Sequence, residues 1–226
     1  MSTPGEDSRQ QPPARIKIIG RALSGAVARA PWLWPVLKRP MGRFFDRAAA
    51  GWDERTGAGS PQHLTGLATA LLHVTPAPER VLDLGTGTGE AALLSAREFP
   101  LASVRGIDLS EEMIAAAKSK VGLDPDGRVA FKVGDAAEIP WPEDSFDLVT
   151  QVNVPAFFSE IARVLRPGGS VIVASSRGSG TPFYTPHKVL AWRFAQHGIV
   201  EHVSGEAGLG DYWVGRFETV GRQGHE

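Results

Sequence analysis

The sequence has no cysteine. Disulfides and thiolate metal sites are therefore excluded, no metal site is expected, and no redox compartment is indicated. It has no apolar run approaching the roughly 18 residues of a membrane span. Residues 1–11 are polar and lack the apolar stretch of a secretory leader, so the expected location is cytoplasmic. No segment repeats another. Even net charge is nearly absent, at −1, but that value hides an asymmetry. Residues 1–47 hold nine Lys/Arg against three acids, a balance of +6, which leaves 15 basic against 22 acidic residues, a balance of −7, for the remainder. A basic arm on an acidic body implies two differently employed segments. What is present is ordinary for a soluble globular protein: 226 residues, 42% apolar and 22% charged, enough for one full core with additions.

The chain is organised around residues 81–90, Val-Leu-Asp-Leu-Gly-Thr-Gly-Thr-Gly-Glu. An apolar run ends in a glycine turn, and Ala91-Ala92-Leu93-Leu94 then opens a helix-like run. Glycine permits φ > 0 and lets a ligand approach the main chain. The helix N-terminus behind the turn offers free N–H groups. The segment is a small-molecule cradle.

Ahead of it, residues 1–14 are rich in Ser, Pro, Gln and charge and are expected to be disordered. Apolar residues at 16, 19, 23, 26, 27 and 30 predict a helix. Pro31, Pro35 and Pro40 punctuate the chain around Trp32 and Trp34, and a short helix is expected over 42–51 with Phe44 and Phe45. Ser60-Pro61 reads as an N-cap with proline at the first helical position, opening a helix to about His73. We therefore divide the chain into a tail (1–14), a basic helical arm (15–60) and a main domain (61–226). From Glu79 onward the pattern alternates. Strands are predicted over 80–84, 103–108, 128–133, 146–151 and 170–175, and helices over 89–98, 110–121, 155–165 and 184–197. Ile199–Val203 and 212–219 pair as a hairpin across 205–210. The expected fold is α/β: a Rossmann-like, doubly wound, seven-stranded and mostly parallel sheet with an antiparallel C-terminal edge hairpin and an N-terminal helical extension.

Such sheets bind ligands outside the carboxyl ends of their strands. Those ends are the glycine turn, Asp108, Gly134-Asp135-Ala136 and 151–153. Three acids, Asp83, Asp108 and Asp135, thus point toward one crevice. A nicotinamide dinucleotide site is one possibility, since Asp108 lies at a suitable distance beyond the glycines for a ribose 2′-OH. The glycine spacing departs from it: the turn reads G-x-G-x-G with Glu90 in the sixth place, where a carboxylate would face pyrophosphate. No Gly-Lys-Ser/Thr follows, so the turn is not a P-loop. An acidic crevice favours a ligand with hydroxyls, donors and positive charge.

Over residues 79–176 the chain resembles the class I S-adenosylmethionine-dependent methyltransferases. Val-Leu-Asp-Leu-Gly-Thr-Gly-Thr-Gly resembles their first motif and Gly106-Ile107-Asp108-Leu109-Ser110 their ribose-binding strand end. Gly134-Asp135-Ala136, with Ile139-Pro140 and Phe146-Asp147-Leu148-Val149, resembles the adenine-binding segment, and 163–169 the connection to strand five. The resemblance implies S-adenosylmethionine as cofactor, held by Asp83, Gly85, Thr86, Gly87, Gly89, Asp108, Leu109, Asp135, Ala136 and Gln151. Asp108 would accept from the ribose hydroxyls, Asp135 from the adenine amine, and the Ala136 N–H would donate to a ring nitrogen. Asp83 would suit an ammonium and a sulfonium.

Methyl transfer needs a base only if the acceptor must lose a proton. Candidates are His63, His187, Tyr184, Tyr212 and Asp211, with Tyr184 and His187 favoured because they follow strand five on the site side. Asn153-Val154-Pro155 departs from the Asn/Asp-Pro-Pro-aromatic pattern of amino-group methyltransferases and reads as a turn into a helix. The stretch from strand four to Arg163 is short, which removes a loop of the acceptor pocket, so the pocket is either open or completed by the arm. The arm has three readings: a lid packed over the site with Phe44, Phe45 and Trp52 as core or cofactor-covering residues, a peripheral membrane contact through 15–45, or an oligomer interface. Nucleic acid is disfavoured as a partner, because positive charge is confined to the arm. The functional expectation is methyl transfer to a small, hydrophobic acceptor. The alternatives are a catalytically silent cofactor-binding partner protein and a nicotinamide-dependent oxidoreductase.

Overall fold

Strand β1 (Arg80–Leu84) is buried from Val81 onward and lies third across a seven-stranded sheet. The computed structural model describes residues 18, 20–22, 25, 31–124 and 126–218. The tail expected over 1–14 lies outside them. Of the helix expected over 16–30, Ile18, Gly20, Arg21, Ala22 and Gly25 have helical backbone, and the other positions lie outside the described residues.

The remaining strands are β2 (Ser103–Asp108), β3 (Val129–Val133), β4 (Phe146–Val152), β5 (Leu165–Ser175), β6 (Ile199–Ala207) and β7 (Gly210–Phe217). The order across the sheet is β3-β2-β1-β4-β5-β7-β6. The first five strands are parallel, and β7 enters antiparallel between β5 and β6. The order reverses between β1 and β4, which opens the ligand crevice at their carboxyl ends.

Helices are α1 (Trp34–Ala49), α2 (Trp52–Thr56), α3 (Pro61–Leu71), α4 (Glu90–Glu98), α5 (Glu111–Lys120), α6 (Phe158–Val164) and α7 (His187–Ala195). Local chemistry accounts for the starts of α3 and α5. The Ser60 hydroxyl accepts from the His63 N–H at 3.3 Å, and the Ser110 hydroxyl from the Met113 N–H at 3.1 Å. Glu111 and Glu112 occupy the first turn of α5, with Lys118 and Lys120 in its last, complementing the helix dipole.

Alternation along the strands divides the core in two. Val81, Val104, Leu148, Ile172 and Val214 pack with Leu67, Leu71, Ala92 and Ala117 from α3, α4 and α5. Leu82, Leu84, Val149, Val171 and Trp213 pack with Ile161 and Phe194 from α6 and α7. Trp213 stacks on Phe194 at 5.1 Å. Each such apolar side chain removed from water contributes about 1.5–3 kcal/mol.

Four expectations are corrected. Pro35 and Pro40 do not break the chain: α1 runs from Trp34 through Pro40 to Ala49. Pro35 falls in the first turn, where no N–H is required, and Pro40 leaves only the Val36 carbonyl without a donor, on a turn that water reaches. Tertiary contacts of Trp34 and Gly42, both buried, hold the helix together. Strand β5 begins at Leu165 instead of Ser170, because Leu165 already pairs with Phe146 and a bulge absorbs the Pro-Gly-Gly cluster. The hairpin turn is confined to Gly208-Leu209, where Gly208 takes φ +61°, so both strands are longer than the glycines of 205–210 suggested. Helices α6 and α7 start three residues later than predicted, at Phe158 and His187, after Pro155 and Pro186.

Candidate active site

Gly85, Gly87 and Gly89 all take left-handed φ, at +61°, +52° and +89°. Side chains are excluded at two of them by contact as well. A Cβ on Gly85 would lie 2.3 Å from Val154 Cγ1, and one on Gly89 would lie 2.9 Å from the Phe131 ring. A Cβ on Gly87 would meet nothing within 4 Å, so the space above the middle glycine is open. The Thr86 N–H donates to the Ile107 carbonyl at 2.9 Å, tying the turn to β2.

Asp83 lies under the turn, fully buried. Its Oδ1 accepts from the Thr150 hydroxyl at 2.8 Å, whereas its Oδ2 has no partner. Burial pushes its carboxyl up to about 6, against the pull of the Thr86 and Thr150 hydroxyls. Gln151, also buried, leaves its Oε1 unpartnered. Thr150 and Gln151 are consecutive in β4 and face opposite sides of the sheet. Unsatisfied acceptors therefore flank the crevice from both faces, and an unpaired buried acceptor costs about 1–3 kcal/mol until a donor arrives.

Asp108 closes the turn from β2. Its Oδ2 accepts from the Gly87 N–H at 3.0 Å and its Oδ1 from the Ser110 N–H at 2.9 Å. Desolvation raises its carboxyl pKa, and these N–H groups oppose the rise. Asp135 is oriented differently. Its Oδ1 accepts from Trp34 Nε1 and from the Ala137 N–H, both at 2.8 Å, and its Oδ2 pairs with Lys38 Nζ at 3.0 Å. Leu109 and Ala136 lie under Trp34, Leu37 and Met41 of α1. The arm thus covers the β3 side of the crevice with those three residues. Phe44, expected there, is 52% exposed, and Phe45 and Trp52 pack edge-on against each other. Asp46 of α1 accepts from the Ser110 hydroxyl at 2.7 Å.

Glu90, the residue that spoils a dinucleotide turn, is paired with Lys120 at 2.7 Å. Lys120 also pairs with Asp53, which accepts from the Thr88 hydroxyl at 2.6 Å. The short helix α2 is thereby fastened to the glycine turn.

Four of the five candidate bases fall into two clusters. His63 reaches the end of β4 because Gly66 lets α3 lie against Asp211: a Cβ there would stand 2.7 Å from the Asp211 carbonyl oxygen. Asn153, at φ +58°, turns its side chain onto β5, where Oδ1 accepts from the Ser176 N–H and Nδ2 donates to the Ser176 hydroxyl, both at 2.9 Å. The same Nδ2 lies 3.2 Å from His63 Nε2. Asn153 Nδ2 can only donate, so Nε2 is the acceptor of that contact, and the Thr56 carbonyl also bonds the ring. Burial lowers the His63 pKa, and the ring is neutral at pH 7. Tyr184 and His187 gather on Asp211, a buried residue beside Ser175. Asp211 Oδ2 stands 3.5 Å from His187 Nε2 and raises that ring's pKa. Burial, then the Asp211 charge, raises the Tyr184 pKa. Tyr212 lies elsewhere, stacked on His73. The arm reaches this region too: Arg21 donates to the Ser179 carbonyl, and a Cβ on Gly20 would stand 2.6 Å from Pro182 Cβ.

Thr150, Trp34, Lys38, Asp46 and the latching role of Asn153 had no signal in the sequence. Trp34 and Asp135 are 101 positions apart and meet only because α1 crosses the strand ends.

A doubly wound sheet with this crevice defines a class of α/β proteins that hold a small molecule over the first strand end. A family model for a methyltransferase domain matches residues 81–169. The chain is 31% identical to the demethylmenaquinone methyltransferase of Clavibacter sepedonicus, over 74% of this chain and 71% of that one. It is 40% identical to the ubiquinone/menaquinone biosynthesis C-methyltransferase UbiE of Geobacter sulfurreducens, over 42% of this chain and 40% of the relative. It is 35% identical to the malonyl-[acyl-carrier protein] O-methyltransferase of Methylococcus capsulatus, over 69% and 57%. The chain thus spans about half the length of these last two relatives. A SAM-dependent methyltransferase from Aquifex aeolicus shares the fold, with a TM-score of 0.60 at 20% identity over 71% of this chain and 95% of that one. The chain belongs to the class I S-adenosylmethionine-dependent methyltransferase family.

The residues present fit that cofactor. The open face of Gly87 accommodates a ligand against the backbone, and Asp83 Oδ2 and Gln151 Oε1 are acceptors awaiting N–H donors. Asp83 suits an ammonium, and Asp108 keeps lone pairs for hydroxyl donors.

Proposed function

We propose that the protein transfers a methyl group from S-adenosylmethionine to a small, hydrophobic acceptor. The observation that carries this is the pair of orphaned buried acceptors, Asp83 Oδ2 and Gln151 Oε1, beside the open glycine cradle. Bound there, the cofactor supplies a methyl group already activated by a sulfonium. The protein orients it through the glycine turn and Asp108, and Val154 and the inner face of α1 exclude water. Excluding water and aligning the partners supplies much of the rate in such displacements. His63 is the base we assign, since it is neutral and its Nε2 lone pair faces the end of β4, next to Val154. Acceptor entry replaces the Asn153 hydrogen bond at that nitrogen. His187 is held by Asp211 in a form that favours its cation, and Tyr184 keeps its proton, so we assign them to orienting the acceptor. The names of the quinone methyltransferase relatives support a lipophilic acceptor.

Titration calorimetry with S-adenosylmethionine tests the cofactor half, with binding by the full chain and at least tenfold weaker binding by Asp108→Ala as the expected result. Transfer of labelled methyl to a demethylmenaquinone-type naphthol, reduced at least tenfold in His63→Ala, tests the second half. No cofactor binding, or unchanged affinity in Asp108→Ala, would sink the reading.

A further inference from the structure

The two faces of α1 have different partners. Inward, Trp34, Leu37 and Met41 cover the crevice, Lys38 pairs with Asp135, and Asp46 accepts from Ser110. Both inward charges are thus engaged by the fold. Outward, Val36 is 73% exposed and Phe44 52%, and Trp32, in the 3-10 turn Pro31–Leu33 just before the helix, is 74% exposed. Arg39, Arg43 and Arg47 are exposed as well, and with Val36 they recur every three or four residues along one side of the helix. None of these three arginines forms an ion pair among the described residues. The stripe therefore carries three exposed arginines, of which Arg39 and Arg43 also border the cleft toward Asp46 and Glu111, next to solvent-facing tryptophan, valine and phenylalanine.

We propose that this outer face of α1 docks on an anionic lipid surface. Guanidinium groups pair with lipid phosphates, and tryptophan settles at the boundary between headgroups and acyl chains. Charge complementarity selects this face: residues 1–47 carry +6, while the rest of the chain carries −7 and is repelled by the same surface. Docked this way, the inner face of α1 still covers the carboxyl ends of β2 and β3, so the crevice sits directly above the membrane plane. The inference goes beyond methyl transfer and does not depend on it.

The test is flotation of the full chain with vesicles of phosphatidylglycerol and phosphatidylcholine in equal parts, against vesicles of phosphatidylcholine alone. The expected result is flotation with the anionic vesicles only, released as salt is raised. Each of Arg39→Gln, Arg43→Gln and Arg47→Gln lowers the partition coefficient by about fivefold. Trp32→Ser combined with Val36→Ser lowers it at constant charge. These side chains are exposed, so thermal melting checks that every variant keeps its fold. Full-chain protein that stays in the soluble fraction at low salt, or a triple glutamine variant that floats as well as the parent, overturns the proposal. So does binding to a single-stranded RNA oligonucleotide in place of the vesicles, which would give the face to nucleic acid.

Discussion

Trp34 Nε1 donates to Asp135 Oδ1 at 2.8 Å, so a helix of the N-terminal arm is anchored on the carboxylate at the end of β3. Lys38 holds the other oxygen of the same group. The acid that the family resemblance assigns to the adenine amine is therefore also the fastening point of the arm. Three donors already surround it, and a fourth must share or displace one of them.

Trp34→Phe separates those two roles. The ring contact with Phe157, at 4.8 Å, is largely kept, and the N–H is lost. Stability falls by about 1 kcal/mol in urea denaturation. Affinity for S-adenosylhomocysteine rises by about fivefold, since one competitor for Oδ1 is gone. Weaker binding in calorimetry would make Trp34 a part of the adenine site and not its competitor.

Asp83 makes stability depend on pH in the acid range. Its folded pKa of about 6 exceeds the ordinary 3.8, so the folded state keeps its proton longer than the unfolded chain. Stability therefore declines as pH rises from about 4 to about 6 and carries a penalty of about 3 kcal/mol above that window. Asp83→Asn keeps an acceptor for Thr150, removes the buried charge and flattens this slope. Urea denaturation at about pH 4 and about pH 7 measures the difference. A variant with the parental slope would show that another group is responsible.

Asn153 combines an unfavourable backbone conformation with three polar contacts. Asn153→Ala loses the contacts to Ser176 and His63 and also places a Cβ at φ +58°. The expected cost is about 2–4 kcal/mol. Asn153→Gly loses the same contacts without the strain and is about 1 kcal/mol less harmful. Equal losses in the two variants, by chemical denaturation, would remove backbone strain from the explanation.

His187 and His63 are expected to titrate on opposite sides of 6.5. The Asp211 carboxylate, 3.5 Å from Nε2, raises His187, and its stabilising contribution is complete below pH 6.5 and is lost as pH climbs through the raised folded value. Burial lowers His63, and its penalty grows as pH falls below 6.5, where the unfolded chain gains a proton that the folded state refuses. Two-dimensional NMR titration resolves both rings. Asp211→Asn returns His187 toward or below the ordinary value and leaves His63 where it was. A His187 shift that survives this substitution would exclude Asp211 as its cause.

The order of strands and helices from β1 to β7 was legible because each element carries its own period and punctuation. Ser60 and Ser110 announce their helices by local hydrogen bonds, and the glycines of the turn announce left-handed backbone. The failures share a cause. Pro40 and Pro167-Gly168-Gly169 are breakers by local propensity, yet α1 runs through the first and β5 through the second, because tertiary partners outweigh about 3 kcal/mol of local preference. The candidate bases were legible only as residue types, with Tyr184 and His187 favoured for following strand five. Their division into a His63–Asn153 pair and a Tyr184–His187–Asp211 group depends on Gly66 letting α3 approach β7.

The sequence by itself determined the fold class, the cradle at Gly85–Thr86–Gly87–Thr88–Gly89 and the acids at the ends of β1, β2 and β3, since periodicity, glycine geometry and strand-end position are properties of short segments. Only the tertiary structure decided what those acids do. Asp83 keeps an unpaired oxygen, Asp108 is tied to the turn, and Asp135 is held by the arm from 101 and 97 positions away. The reason is physical: hydrogen-bond partners and burial are set by which distant segments the two cores bring together, and no local pattern encodes that.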